Sequence, residues 1–130
     1  MTVPCNTGFT EAAKFLANEA ADPFKYIAVG TGTGQGAANT KLAAETVVAG
    51  MVRVVGDTVK TVKTTIDNDT HQIIEKFTAG AAVHIKEAGA FNNAVKDAGD
   101  MLMVGDLSPS ADMAKDDTLT MTLQTAIKAA

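Results

Sequence analysis

The sequence predicts an α+β, mainly β domain: a short N-terminal helix followed by a β-sandwich-like arrangement of about six or seven antiparallel strands. Three observations lead there. Apolar residues near the N-terminus recur at helical spacing. From residue 51 onward the chain breaks into short runs rich in Val, Ile and Thr, punctuated by Gly, Asn and Asp. The stretch DDTLTMTLQTAI alternates apolar and polar residues, as a strand with one buried face does.

Phe9, Ala13, Leu16 and Ala20 lie on one helical face, with Ala12 and Ala17 beside them. The spacing predicts an amphipathic helix over 9–20, capped by Thr7 or Thr10, with Glu11 in its first turn. Asp22-Pro23 ends it, because a residue before proline is driven from the helical region. Residues 24–29 read as a strand. A glycine-rich segment follows, then TKLAAETVV (40–48), which suits one or two helical turns. MVRVV, TVKTVKTTI, HQIIEKF and AAVHIK read as strands. Asp67-Asn68-Asp69 is a hairpin turn, since Asn and Asp tolerate left-handed backbone. GDMLMVGDLSP gives a strand ended by Pro109. In the last strand Leu119, Met121, Leu123 and Thr125 face one way, and Thr118, Thr120, Thr122 and Gln124 the other.

The 130 residues fit one domain, 1–130, of ordinary globular balance, 46% hydrophobic and 20% charged. Aromatics are 5%, without Trp, and the formal net charge is -4, so the stacking faces and basic groove of a nucleic-acid binder are missing. Cys5 is the only cysteine, which excludes an intrachain disulfide and a thiolate metal cluster. No basic segment followed by a long apolar stretch opens the chain, so no secretory signal is expected. Apolar stretches such as 47–52 are too short to cross a bilayer, and the chain reads as soluble with no membrane partner.

KYIAVGTGTGQGAA (25–38) is the one segment with a ligand-binding look. Gly32-Thr33-Gly34-Gln35-Gly36-Ala37 matches GxGxxA, the pattern that brings backbone close to a pyrophosphate at a helix N-terminus. Asp57 lies about 20 residues on, where a ribose-binding acid is sought. Against this, Asn39-Thr40 precede any helical pattern, no second βαβ unit follows, and no Gly-Lys-Ser/Thr is present. The segment 30–36 is read as a flexible strand-to-helix loop exposed at one end of the domain.

Other candidates are thin. His71 and His84, with Glu75 or Glu87, fall short of the three or four convergent ligands of a metal site. Ser108 and Ser110 flank Pro109 without a GxSxG or SxxK pattern. Asp67-Asn68-Asp69 and Asp116-Asp117 lack EF-hand spacing and read as turns. Glu45 in LAAE and Glu87 in IKEAG are the carboxylates in the most suggestive settings, and a paired-carboxylate hydrolase would need both in one cleft. No catalytic, cofactor-binding or metal residue is assigned, and no enzymatic activity or cofactor is expected.

The order of the pieces KYIAVGTGTG, LAAE, Arg53, IKEAGAFNN and DTLTMTL resembles a group of small tailed-bacteriophage virion proteins of the tail and tail-collar-fibre kind. The matching residues are 26–32, 42–45, Arg53, 85–92 and 117–123. Ala90 replaces a larger apolar residue, Met121-Thr122-Leu123 replaces an aromatic-containing end, and no long fibrous extension follows Ala130. The resemblance implies a compact, non-enzymatic structural subunit of the tail, baseplate or collar, or a decoration protein on the head. Its partners would be itself and other phage structural proteins, and its location the virion, assembled in the host cytoplasm. A cellular β-sandwich that binds a carbohydrate or small ligand is the rival expectation. Within this frame Glu87 is expected to pair with Arg53 across the sheet, since a lone buried charge is costly.

Overall fold

A computed structural model describes residues 2–127. The elements run β1 (Thr2–Pro4), α1 (Asn6–Leu16), β2 (Tyr26–Gly30), β3 (Val54–Val55), β4 (Thr58–Val62), β5 (Thr70–Thr78), β6 (Val83–Phe91), β7 (Met101–Met113) and β8 (Thr118–Ala126). They form a five-stranded sheet, ordered β1-β7-β6-β2-β3, and a three-stranded sheet, ordered β4-β5-β8. Every strand pairing is antiparallel. The mainly β sandwich with an N-terminal helix is therefore present, with β1 and the two-residue β3 bringing the strand count among the described residues to eight.

Alternation divides the apolar residues between two cores. Ile27, Val29, Ile73, Phe77, Met103, Met121 and Leu123 fill the space between the sheets. Ala28, Leu42, Phe91, Met101 and Val104, with Cys5, pack on the opposite face of the larger sheet, under the start of α1 and the loop after β2. Along β8 the buried residues are Met121, Leu123 and Thr125, with Leu119 half-buried, and Thr118, Thr120, Thr122 and Gln124 are exposed, as the alternation requires.

Three local expectations are corrected. The helix runs Asn6–Leu16 rather than 9–20. Its end is set by Asn18 at φ 58, a left-handed residue. Asn18 N–H bonds Phe15 O and Glu19 N–H bonds Lys14 O, the paired closure of a Schellman motif, so the helix stops before Asp22-Pro23 can act. Neither Thr7 nor Thr10 caps it. The Thr7 hydroxyl donates to Met101 O of β7 and accepts from Met101 N–H, and Thr10 donates back to Asn6 O. The apolar stripe faces outward: Phe9 and Leu16 are exposed, and the buried helix residues are Gly8 and Glu11. Gly8 explains this, since a Cβ there would meet Leu102 Cα of β7 at 2.7 Å. The helix lies on the sheet through its smallest residue.

The segment 40–48 forms no helix. It runs as irregular backbone beside β2, with Thr31 N–H to Ala44 O, Thr46 N–H to Val29 O, and an isolated bridge between Gly30 and Glu45. The third correction is β7, which runs through Pro109 to Met113. Glu87 pairs with Asp106 and Ile85 with Ala111, so residues 107–110 bulge opposite Lys86. Proline is tolerated there because a bulge asks no ladder bond of it.

Gly8 yields a test. In a helix Gly→Ala ordinarily gains up to about 1 kcal/mol. Here the added methyl runs into backbone, and Gly8→Ala is expected to destabilise the protein by about 1–3 kcal/mol in urea denaturation. A gain in stability would show that α1 is not seated on β7 through Gly8.

Candidate functional site

The bulge in β6 determines what the glycine loop does. Before it, Val83 and Ile85 point between the sheets, and after it Ala88 and Ala90 do. Between Ile85↔Ala111 and Glu87↔Asp106 the pairing shifts by three residues, an odd number, and Glu87, Gly89 and Phe91 turn to the other face. A Cβ on Gly89 would meet Met101, Phe91 and Leu42, which confirms the side it faces. Glu87 is thus turned, fully buried, into the loop that leaves β2.

Its carboxylate is held entirely by N–H donors. Oε2 accepts from Gly32 N–H at 2.7 Å and Ala44 N–H at 2.8 Å. Oε1 accepts from Ala43 N–H at 2.8 Å and from the Gln35 side-chain amide. The glycines are needed for approach: a Cβ on Gly30 would lie 2.6 Å, and on Gly32 2.7 Å, from Glu87 Oε2. The loop is further fastened by Gly34 N–H to Asp106, Gly36 N–H to Asn39 Oδ1 and Asn6 N–H to Ala37 O. The segment 30–36 is an anion-binding loop in the sense that its motif suggests, and the anion is the protein's own Glu87. It is not the free connector that the sequence led us to expect.

The expected Glu87–Arg53 pair is also corrected. Arg53 binds Glu45 instead, with Nη2 to Oε1 at 2.6 Å and Nε to Oε2 at 3.2 Å, both side chains being buried. Its Nη1 donates to Asn93 O at 3.0 Å and Ala98 O at 2.8 Å, and the guanidinium lies 3.7 Å from the centre of the Phe91 ring. Arginine's planar fork matches a carboxylate at two points and still has donors for carbonyls. Glu45 sits beside β2 through its bridge to Gly30, so the two carboxylates flank one loop. One is satisfied by a cation and the other by backbone.

The remaining candidates do not converge. His71 lies on β5 and His84 on β6, in different sheets, and each has its own partner. Among the described residues no group of three or more His, Cys, Asp or Glu is placed to hold a metal. His84 Nδ1 and the Ser110 hydroxyl meet the same oxygen of Asp112, at 2.8 and 2.7 Å, on the surface. A relay would need Ser and His in series, so this is a surface hydrogen-bond cluster. Cys5 is buried and its thiol is pushed up to about 11 by burial, so it is held as an unreactive thiol. Asp116, at φ 73, and Asp117, which accepts from Ala114 N–H, form the turn before β8.

Two polar residues named from sequence take roles that it did not show. Asp69, in the hairpin turn, accepts from the N–H groups of Thr64, Thr65 and Ile66, and these bonds hold its carboxyl well below the usual range. Glu75 faces Asp57 across β4 and β5; burial and then that neighbouring carboxylate push its pKa up, and its Oε1 has no partner. Comparison with known proteins finds no matching family model, no matching curated sequence and no matching solved structure.

Two outcomes test these assignments. Glu87→Gln puts an amide N–H₂ against N–H donors and should destabilise by about 1–3 kcal/mol in urea. Unchanged stability would show that the carboxylate does not hold the loop. His71 gives a pH effect. Its Nε2 meets Phe24 O at 2.8 Å, so that nitrogen carries the proton, and Nδ1 is buried without a partner. Burial lowers its pKa, with the Phe24 carbonyl opposing. The unfolded histidine takes its proton near pH 6.5, before the folded one does. This contribution is complete above about pH 6.5 and is lost as pH falls toward the folded pKa. The urea midpoint should therefore fall more steeply between pH 7 and 5 in the parent than in His71→Gln; parallel curves would refute it.

Proposed function

We propose that this chain is a non-enzymatic structural subunit of a tailed-bacteriophage virion, sited in the tail, baseplate or collar. It would assemble through symmetric contacts with copies of itself and with other structural proteins of the particle. One observation carries the reading. Four of the five separated sequence pieces on which the resemblance rests meet around two buried carboxylates, the fifth, 117–123, lying on β8 in the other sheet. Residues 26–32 and 42–45 surround Glu87 and supply Glu45, Arg53 binds Glu45, and 85–92 carry Glu87 itself. Their shared order then has a physical reason, a single internal network that fixes the loops of a scaffold. In the GxGxxA-like loop the glycine N–H groups that would approach a pyrophosphate are turned to Glu87, Asp106 and Asn39. What stays available is surface: strand edges and loops that repeat with the symmetry of an assembly, where modest contacts multiply.

Mass spectrometry of density-banded particles from the source, followed by antibody labelling in the electron microscope, tests this. Many copies per particle are expected, with label on the tail. Label on the head would instead assign a decoration role, and absence from particles would overturn the virion reading.

A hollow of about 370 Å³ favours the second reading, a binding module for a carbohydrate or small polar ligand. It is bordered by Asp22, Lys25, Tyr26, Asn92 and Asn93, with the Lys25 ammonium 5.7 Å from the centre of the Tyr26 ring. A sugar at a hundred times its dissociation constant would stabilise the fold by about 2.7 kcal/mol, which a thermal-shift panel reads directly.

A further inference from the structure

We infer that the open edge of β8 pairs with the same edge of a second copy, antiparallel and centred on Thr120, joining two three-stranded sheets into one. This deepens the assembly reading and rests on it for the identity of the partner.

The edges are unequal. β1 has three residues and β3 two, and β4 has five, with Lys60 at its middle. Short strands and lysines keep edges from pairing. β8 has nine residues, TLTMTLQTA, with no charge, proline or glycine. It is the last strand of its sheet and pairs without a bulge to β5.

The ladder shows which backbone groups face outward. Ile127 N–H bonds Asp69 O, and Ala79 N–H bonds Asp117 O. Both are odd-numbered positions of this segment, directed at β5. In an antiparallel strand N–H and C=O alternate sides residue by residue. Thr118, Thr120 and Thr122 therefore present theirs to the open edge.

A second copy fits this edge. Pairing must match outward residues with outward residues, which restricts the register. Centred on Thr120, it sets Thr118 against Thr122 of the second copy, Thr120 against Thr120, and Leu119 against Met121. The exposed face becomes threonine against threonine, a favourable cross-strand pair, and the inner face apolar against apolar. It also caps a groove of about 320 Å³ on the open side of the sandwich, lined by Gly105, Leu107, Pro109, Met121 and Leu123 among others. Copies of net charge -4 repel, and this uncharged strand is where they can approach. The contact is small beside a standard interface of about 1,600 Å², so the dimer is weak alone and gains from repetition in an assembly.

Thr120→Cys tests the register, with Thr118→Cys and Thr122→Cys as controls. At the centre two Cα atoms lie about 5.5 Å apart, within reach of a disulfide. At either control position they lie about 14 Å apart. Mild oxidation of the full chain should give a linked dimer of Thr120→Cys while each control alone stays monomeric and the two controls mixed link to each other. Sedimentation should show a concentration-dependent dimer in the parent that is lost in Thr120→Lys, whose exposed side chain leaves the melting temperature unchanged. A parent that stays monomeric, or Thr120→Cys linking no faster than its controls, overturns the pairing. If the protein is nonetheless found in particles, the assembly reading stands without this contact. Linking of Thr120→Cys by a protein absent from particles supports the pairing and refutes the virion.

Discussion

The fold depends on a carboxylate buried without a cation. Glu87 is fully enclosed and is compensated by three backbone N–H groups and one side-chain amide. Charge-assisted bonds of this kind are about twice as strong as neutral ones, and removing the acceptor would leave several donors buried and unpaired. The donors come from the loop after β2 and from the irregular segment that follows it. These stretches have little regular structure of their own, and the anion supplies the common point that regular hydrogen bonding would otherwise provide.

That arrangement requires the bulge. In an unbroken β6, residues 83, 85, 87, 89 and 91 would share one face, and Glu87 would enter the apolar space between the sheets. The break at Lys86, where the register against β7 shifts by three, reverses the parity and sends the carboxylate to the loops while alanines take its place in the core. The bulge in turn needs slack in β7, and residues 107–110, with Pro109 among them, provide it. Glu45, beside β2, and Arg53, just before β3, complete the frame, tying the segment after the glycines to the carbonyls of the loop after β6. A buried pair of this kind adds little net stability over an apolar substitute, but losing one partner is costly, so it fixes geometry more than it stabilises.

The sequence was most legible where one period governed a whole element. β8 follows a period of two throughout and β5 in its second half, and the Asp67-Asn68-Asp69 turn carries the residues its backbone demands, with Asn68 at φ 60. Reading failed where a single contact overrode the pattern. The helical stripe of Phe9, Ala13 and Leu16 is real, yet Gly8 and Thr7 decide which side meets the sheet, and periodicity contains no term for that. Segment 40–48 has helix-forming composition, but its Ala43 and Ala44 N–H groups are drawn to Glu87, its Thr46 N–H to Val29 O of β2, and its Ala44 carbonyl to Thr31 N–H. The Glu87 pairing was misjudged by seeking a cation for every buried acid. The signal available was the glycine pattern itself: a loop built to bind an anion, in a chain with an acid inside an apolar strand.

Internal satisfaction of the polar groups has a consequence for the surface. A cleft that works on a ligand needs polar groups left unmatched by the protein, and here the strongest ones face one another. A few buried atoms, such as His71 Nδ1 and Glu75 Oε1, have no partner, and outside lie the apolar residues of α1 and the uncharged edge of β8 at Thr118, Thr120 and Thr122. Such edges are a hazard to a protein that must remain alone, and chains in that position carry lysines, prolines or short strands against it. Where association is the function, the same edge is the contact. On the assembly reading proposed above, the polar network and the open edge would serve one end, the interior holding the loops fixed while the edge makes the contact.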